Sequence, residues 1–372
     1  MIYRPYGTTG HEVSAIGFGG MRFRDQKDVE GCAALVKYAY DKGINYFDTA
    51  IGYGESEALF GVALKEMVKT RSERPFYIST KSMKANPEDI RRQCEASLSR
   101  LGLDSIDFYH VWCILDWAAY ETRKLAGALK EFERLKEEGL VKNIVVSSHM
   151  TGADIGRLLE DYPFEGVLMG YSAMNFAYRE AALATAERLK RGVVVMNPLG
   201  GGLIPEHPDK FGFLKTRPEQ SVVQGALAFL LSDPRITISL VGFSDTDQVD
   251  EALGAVEGFT SLTSEQIAGI RSQLKENFNA MCTGCQYCDH CPQGMPVPKL
   301  MDAYNQHMLS DSTDALVNRL RWHWGMQPDS ELLRSCVGCG LCERECTQKL
   351  PIIERIEALV GHADGFLAKN RK

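Results

Sequence analysis

The sequence predicts an α/β fold, a (β/α)8 TIM barrel followed by a small, mostly helical domain. Three observations carry that prediction. A short apolar β-type run followed by an amphipathic helix recurs roughly every 30 residues over the first two thirds of the chain. Polar and titratable residues gather where those runs end. Eight of the eleven cysteines crowd into the last quarter of the 372 residues, where the repeating pattern has stopped.

The elements follow in order. Tyr3–Gly7 and Val13–Gly17 read as a hairpin entering a first strand that ends in Gly17-Phe18-Gly19-Gly20. Later apolar runs end near Asp48, Lys81, Trp112, Ser148, Tyr171, Asn197 and Gly242, which with the first makes eight. Helical stripes lie between them, such as Ile90, Cys94, Leu98 and Leu101, or Leu125, Leu129, Phe132 and Leu135. Alternating strand and helix with short loops implies a parallel sheet, and eight units in about 250 residues is the size of a (β/α)8 barrel. A doubly wound open sheet is the alternative. No G-x-G-x-x-G follows a first strand with an acidic residue about 20 positions on, which weighs against it. A polar helix over about Ser264–Phe278 leads out, and the boundary is expected near residue 262, giving domains 1–262 and 263–372. Further helices are expected near Pro298–Leu309, Ala315–Trp324 and Ile352–Val360, with a mobile tail from Ala363 to Lys372.

Composition narrows the classes of function. The chain is 44% hydrophobic and 24% charged, as a large globular domain with a smaller companion would be. A formal net charge of −7 favours neither nucleic acid nor an anionic membrane surface. The N-terminus carries no signal-peptide pattern and no apolar run approaches the ~20 residues of a membrane span. A cytoplasmic protein is expected, and in a reducing compartment crowded cysteines point to metal rather than disulfides.

The stretch Asn45–Glu57, NYFDTAIGYGESE, places Asp48 at a strand end and Tyr53 in the following loop. Lys81 ends the next run, Phe76–Thr80. Strand ends and their loops are where (β/α)8 barrels keep their chemistry. Carboxylate, phenol and ammonium on adjacent strand tops form a proton-transfer set. The ammonium is expected to lower the phenol's pKa, and the carboxylate to hold the ammonium in place. Taken alone, Asp48 as a helix cap and Tyr53 as turn packing explain the segment equally well.

The cysteine runs are Cys282-x2-Cys285-x2-Cys288-x2-Cys291-Pro292 and Cys336-x2-Cys339-x2-Cys342-x3-Cys346-Thr347. The second has bacterial ferredoxin spacing with Thr347 in place of proline; the first keeps its proline but is one residue short. Such runs let three thiolates converge on a cubane with a fourth from farther away, and eight thiolates suffice for two 4Fe–4S clusters. Structural zinc instead takes two separated C-x2-C pairs. The C-terminal part is therefore read as a ferredoxin-like iron–sulfur domain. Cys32, Cys94 and Cys113 read as ordinary small hydrophobes.

In the DTA–Tyr53 segment, Lys81 after Ser79-Thr80, Ser147-Ser148-His149, Asn197–Gly202 and Gly242-Phe243-Ser244, the chain resembles the aldo/keto reductases. The cysteine block is similar to that of the branch fused to a ferredoxin-like domain. The resemblance implies a nicotinamide cofactor, NADH or NADPH, lying across the barrel top. Hydride then passes between it and a small or medium carbonyl or alcohol. It implies Tyr53 as general acid, Lys81 tuning it and Asp48 orienting Lys81. Cofactor contacts carried over are Gly20, Met21, Ser147, Ser148, Tyr171, Pro198, Leu199, Gly200, Gly201, Gly242, Ser244 and Gln248. By analogy with paired-cluster proteins, one ligand set is Cys282, Cys285, Cys288 and Cys346, the other Cys336, Cys339, Cys342 and Cys291.

The chain also departs from the family. Trp112 stands where a histidine ends strand four, with His110 on the same inward face roughly 7 Å deeper. His110 reads either as a water-linked substitute or as a satisfied core residue. Leu168 and Met196 stand where a carboxamide-binding glutamine and a stacking tyrosine are usual. These changes leave open a flavin in the barrel, or a barrel without ordinary turnover attached to an electron-transfer domain. The turn Gly242–Val249 holds Asp245 and Asp247 and no cation, which favours NADH over NADPH. A hydride carries two electrons and a cluster exchanges one. The clusters are therefore expected to stand outside the hydride step, as a brace or as the port for an external electron-transfer partner.

Overall fold

The computed structural model describes residues 1–173, 176–277, 281–282 and 284–370. The chain forms two compact units, Met1–Leu274 and Lys275–Lys372. The first keeps most of the helix Ser264–Asn277, which the sequence reading assigned to the second domain; the expected end of that helix at Phe278 lies outside the described residues.

The first unit carries strands β1 (Tyr3–Pro5), β2 (Glu12–Ser14), β3 (Ile16–Gly19), β4 (Tyr46–Asp48), β5 (Tyr77–Ser82), β6 (Ile106–Ile114), β7 (Val141–Ser148), β8 (Gly166–Gly170), β9 (Gly192–Met196) and β10 (Ile238–Gly242). β1 and β2 pair antiparallel, and β3 to β10 close a parallel barrel in sequence order. The eight expected runs are the eight barrel strands, with ends displaced by at most two residues. Local chemistry sets the helix starts: Asn86 caps Pro87–Leu101, and Ser221 with Gln224 forms a capping box on Val222–Leu231.

The barrel is filled rather than hollow. Tyr46, Phe108, Val145, Leu168, Val194, Ile238 and Leu240 pack together inside it. The hairpin closes the floor by inserting Tyr6, whose ring centroid lies 4.3 Å from that of Phe108. Gly192 permits this approach: a Cβ there would lie 2.3 Å from the Tyr6 ring. An apolar floor leaves the C-terminal end of the strands as the place where polar inward side chains collect.

The second unit is helical. Val297–Ser310, Thr313–Asn318 and Ile352–Asn370 pack Leu300, Met301, Leu316, Val317, Ile356 and Leu359 into one core with the cysteine segments. The expected mobile tail is instead helix through Asn370. Ile356, Leu359, Ala363 and Phe366 recur at helical spacing and bind the last turns to the core, and Arg334 pairs with Asp364. Among the described residues, no helix is long and apolar enough to cross a membrane.

Candidate active site and metal centres

Three adjacent strands bring four inward polar side chains together at the barrel top. Asp48 on β4 lies beside Ser79 on β5, and Lys81 on β5 beside His110 on β6. Lys81 Nζ donates to Asp48 Oδ1 at 2.5 Å and to the Thr49 carbonyl at 2.7 Å. Ser79 Oγ donates to Asp48 Oδ2 at 2.8 Å and lies 2.9 Å from His110 Nε2. Asp48 is 2% exposed, and Ser79, Lys81 and His110 are wholly buried. Ser79 is the member that sequence reasoning passed over: its position in β5 was read, but not the bridge it makes. Glu57 went equally unassigned. It is buried, accepts from Thr80 Oγ1 at 2.6 Å, and pairs with Arg100, tying the helix Ser56–Met67 to the next.

Tyr53 sits above this group in a turn clamped by Gln26, which donates to the Tyr53 carbonyl at 3.0 Å and accepts from the Glu55 N–H at 2.8 Å. Lys81 Nζ lies 4.9 Å from the centroid of the Tyr53 ring, so the ammonium faces the ring. Trp112 stands edge-on to it at 5.8 Å between centroids and is itself buried. The pKa expectation requires correction. Burial, and then the charge of Asp48, push the Tyr53 phenol well above its usual value. Burial likewise raises the Asp48 carboxyl and lowers the Lys81 ammonium, each opposed by the other's charge. Burial and Lys81 hold His110 well below the usual imidazole range, so it is neutral. His110 is thus hydrogen-bonded into the buried group through Ser79.

A cleft of about 460 Å³ opens nearby, lined by Pro198, Leu199, Gly201, Gly242, Ser244 and Gln248 together with Arg22, Glu206 and Glu251. Gly200, Gly201 and Gly202 have φ of +64°, +73° and +109°, so this rim depends on glycine. The Ser147 hydroxyl, on the inward face of β7, is buried without a protein partner.

Other expected contacts are not brought into the cleft. Ser148 Oγ donates to the Ile114 carbonyl at 2.9 Å and accepts from the Met150 N–H. Gly20 is buried because a Cβ there would lie 2.3 Å from Phe60. Met21 is largely exposed. Tyr171 turns away: its hydroxyl donates to Glu180 at 3.0 Å, and it lines a separate, larger groove with Arg235 and Arg271. Leu168 and Met196 belong to the barrel core. The turn after β10 also differs from expectation, because Arg24 pairs with Asp245 at 2.8 Å and Arg22 reaches the cleft.

In the second unit the thiols fall into two sets. Cys288 lies within electrostatic reach of Cys282, Cys285 and Cys346. Cys291, Cys336, Cys339 and Cys342 line one small hollow. Burial pushes the Cys282 thiol up to about 12 and the Cys342 thiol up to about 11. Backbone N–H groups point at sulfur, from Gly284 to Cys282 and from Leu350 to Cys346, both at 3.4 Å. Paired quartets of thiols with amide donors fit two four-iron clusters.

A closed parallel barrel with its polar inward side chains at the C-terminal end has the build of a (β/α)8 enzyme. Residues 15–275 match the model of the aldo/keto reductase family, and residues 281–350 match that of a 4Fe-4S dicluster domain. The chain belongs to the aldo/keto reductase family of oxidoreductases and carries a C-terminal 4Fe–4S domain. It is similar to the probable aldo-keto reductase 1 of Glycine max, 26% identical over 292 residues, covering 67% of this chain and 83% of that protein. The solved aldo-keto reductase AKR11C1 from Bacillus halodurans, in its holo form, shares the fold. Its TM-score is 0.63 at 24% identity, covering 73% of this chain and 96% of that one.

Burial also makes the barrel acid-sensitive. His149, following β7, has its pKa lowered to about 3, by burial first and Arg179 second. Below about 6.5 the unfolded chain takes up this proton and the folded chain does not, so stability falls as pH drops from about 6.5 toward 3. His149→Gln is expected to flatten the slope of unfolding free energy by about 1.4 kcal/mol per pH unit in that window. Denaturant titrations between pH 6.5 and 4.5 check this; an unchanged slope contradicts it.

Proposed function

We propose that the barrel interconverts small or medium, partly apolar carbonyl compounds and their alcohols, with Tyr53 as general acid in the reducing direction. One observation carries the reading: Tyr53 stands over the wholly buried Asp48–Lys81 pair, at the end of the barrel where the cleft opens. A nicotinamide held along the cleft would supply or accept the hydride. Tyr53 keeps its proton at neutral pH and gives it to the carbonyl oxygen as that oxygen gains negative charge. Lys81, fixed by Asp48 and the Thr49 carbonyl, places positive charge against the ring and stabilises the phenolate that remains. Trp112 excludes water from one side of the phenol and offers no transferable proton. His110 supports Asp48 through Ser79 from below.

The unpartnered Ser147 hydroxyl and the glycine rim at 200–202 support cofactor binding along the inner wall of the barrel and the cleft. We assign the redox role of the second unit to exchange with an external one-electron partner, and the whole protein to the cytoplasm. Tyr53→Phe is expected to stay folded and to lose ~10²–10⁴ in the rate of carbonyl reduction. Parent-like turnover would overturn the role of Tyr53.

The cleft favours NADH over NADPH. Glu206 and Glu251 line it against the one guanidinium of Arg22, and Arg24 is occupied by Asp245. A 2′-phosphate dianion would meet more negative than positive charge there. Fluorescence titration at moderate salt is expected to give the lower Kd for NADH; a lower Kd for NADPH refutes the preference.

A further inference from the structure

The two thiol sets sit in different surroundings. Cys339 is exposed and the adjacent Val337 is 63% exposed, so the set Cys291, Cys336, Cys339 and Cys342 reaches the surface of the second unit. Cys288 and Cys346 of the other set are buried. Two side chains lie close to this buried set. Thr347 is 2% exposed, and its Oγ1 lies 3.1 Å from Cys285 Sγ. An iron-bound thiolate has no proton, so the hydroxyl must be the donor. At the matching place after Cys291 the chain has Pro292, which has neither hydroxyl nor N–H.

The second side chain is Arg355. It is 5% exposed, its Nη1 is buried without a hydrogen-bond partner, and it stacks at 5.1 Å over Tyr304. Among the described residues no carboxylate forms an ion pair with it. Asp302, the acid that acts on Cys282, is held by Arg319 at 2.7 Å and by the Trp324 indole at 2.8 Å. Arg355 lies within electrostatic reach of Cys282 and Cys346. Glu354 also lies within electrostatic reach of it, and four thiolates around an iron–sulfur core would supply further negative charge beside this buried guanidinium.

We propose that Arg355 and Thr347 hold the reduction potential of the buried site above that of the exposed one. An electron entering beside Cys339 then comes to rest among Cys282, Cys285, Cys288 and Cys346. Reduction makes that site more negative by one charge. A fixed cation and a hydroxyl donor stabilise the reduced form more than the oxidised form, which raises the potential. The transfer is one electron from the exposed site to the buried site, with no proton moved. Its source is an external one-electron reductant.

The inference rests on the crossed ligand sets. The whole chain, purified anaerobically, is therefore first checked for about eight irons and two paramagnetic signals on reduction. Cys346→Ser should alter the same signal as Cys285→Ser, and Cys291→Ser the same signal as Cys339→Ser. Failure at that stage overturns the ligand sets and the inference with them. Potentiometric titration with dithionite, followed by electron paramagnetic resonance, then tests the inference itself. Thr347→Val and Arg355→Met are each expected to shift the higher midpoint potential downward and leave the lower one in place. Thr347→Ser and Arg355→Lys are expected to retain the parent values. Where Arg355→Met loses iron, Thr347→Val decides alone. Unchanged potentials in Thr347→Val, or a shift of the lower potential or of both alike, overturn the proposal.

Discussion

The barrel top depends on one buried ion pair. Asp48 and Lys81 meet at 2.5 Å on adjacent strands, above an apolar floor that excludes water. Neither charge could be buried alone, because losing one partner of such a pair leaves an uncompensated charge at a cost of about 3–5 kcal/mol. The remaining hydrogen-bond capacity is met by the Thr49 carbonyl and Ser79 Oγ, and Ser79 carries the connection to His110 on β6. A buried polar network of this kind rigidifies the groups that it joins. It fixes the ends of three neighbouring strands and thereby the base on which the Tyr53 turn rests. The same low dielectric that makes the pair costly makes it effective. It holds the phenol protonated, as the proposed proton donation to a developing oxyanion requires.

The second unit repeats the principle with the partner changed. Arg355 is buried within reach of thiols, and its proposed counter-charge is iron-bound sulfur. On these proposals one unit uses a buried cation to steady an acid, the other to stabilise an added electron. Hydride chemistry moves electrons in pairs and cluster chemistry one at a time, so neither site needs the other for its elementary step.

Some of this was legible in the sequence because it is local. The eight strand ends follow from apolar runs and intervening helical stripes, and Asp48, Tyr53 and Lys81 declare themselves by standing at or just after two of those ends. The cysteine spacing was legible because cubane geometry permits few alternatives. What was missed depends on distance or burial. Arg24 reaches Asp245 across 221 residues, so the turn after β10 could not be known to have a cation nearby. The direction of the Tyr53 shift was misread because proximity to Lys81 is visible in a strand pattern and desolvation is not. Tyr171 was carried over as a cofactor contact with the family resemblance, yet Glu180, held by Arg235, draws its hydroxyl elsewhere. The C-terminal helix was read too short, and the spacing of Leu359, Ala363 and Phe366 shows it to be amphipathic to its end.

The central claim is that the barrel performs a two-electron hydride transfer at the Asp48–Lys81–Tyr53 site, apart from the thiol-rich unit. A single turnover of flavin-free protein with NADH carrying deuterium at both C4 positions and a reducible aldehyde, frozen for electron paramagnetic resonance, tests it most directly. The account predicts one deuterium on the product carbinol carbon and no reduced-cluster signal. Rapid cluster reduction by NADH, with the label absent from the product, would contradict it.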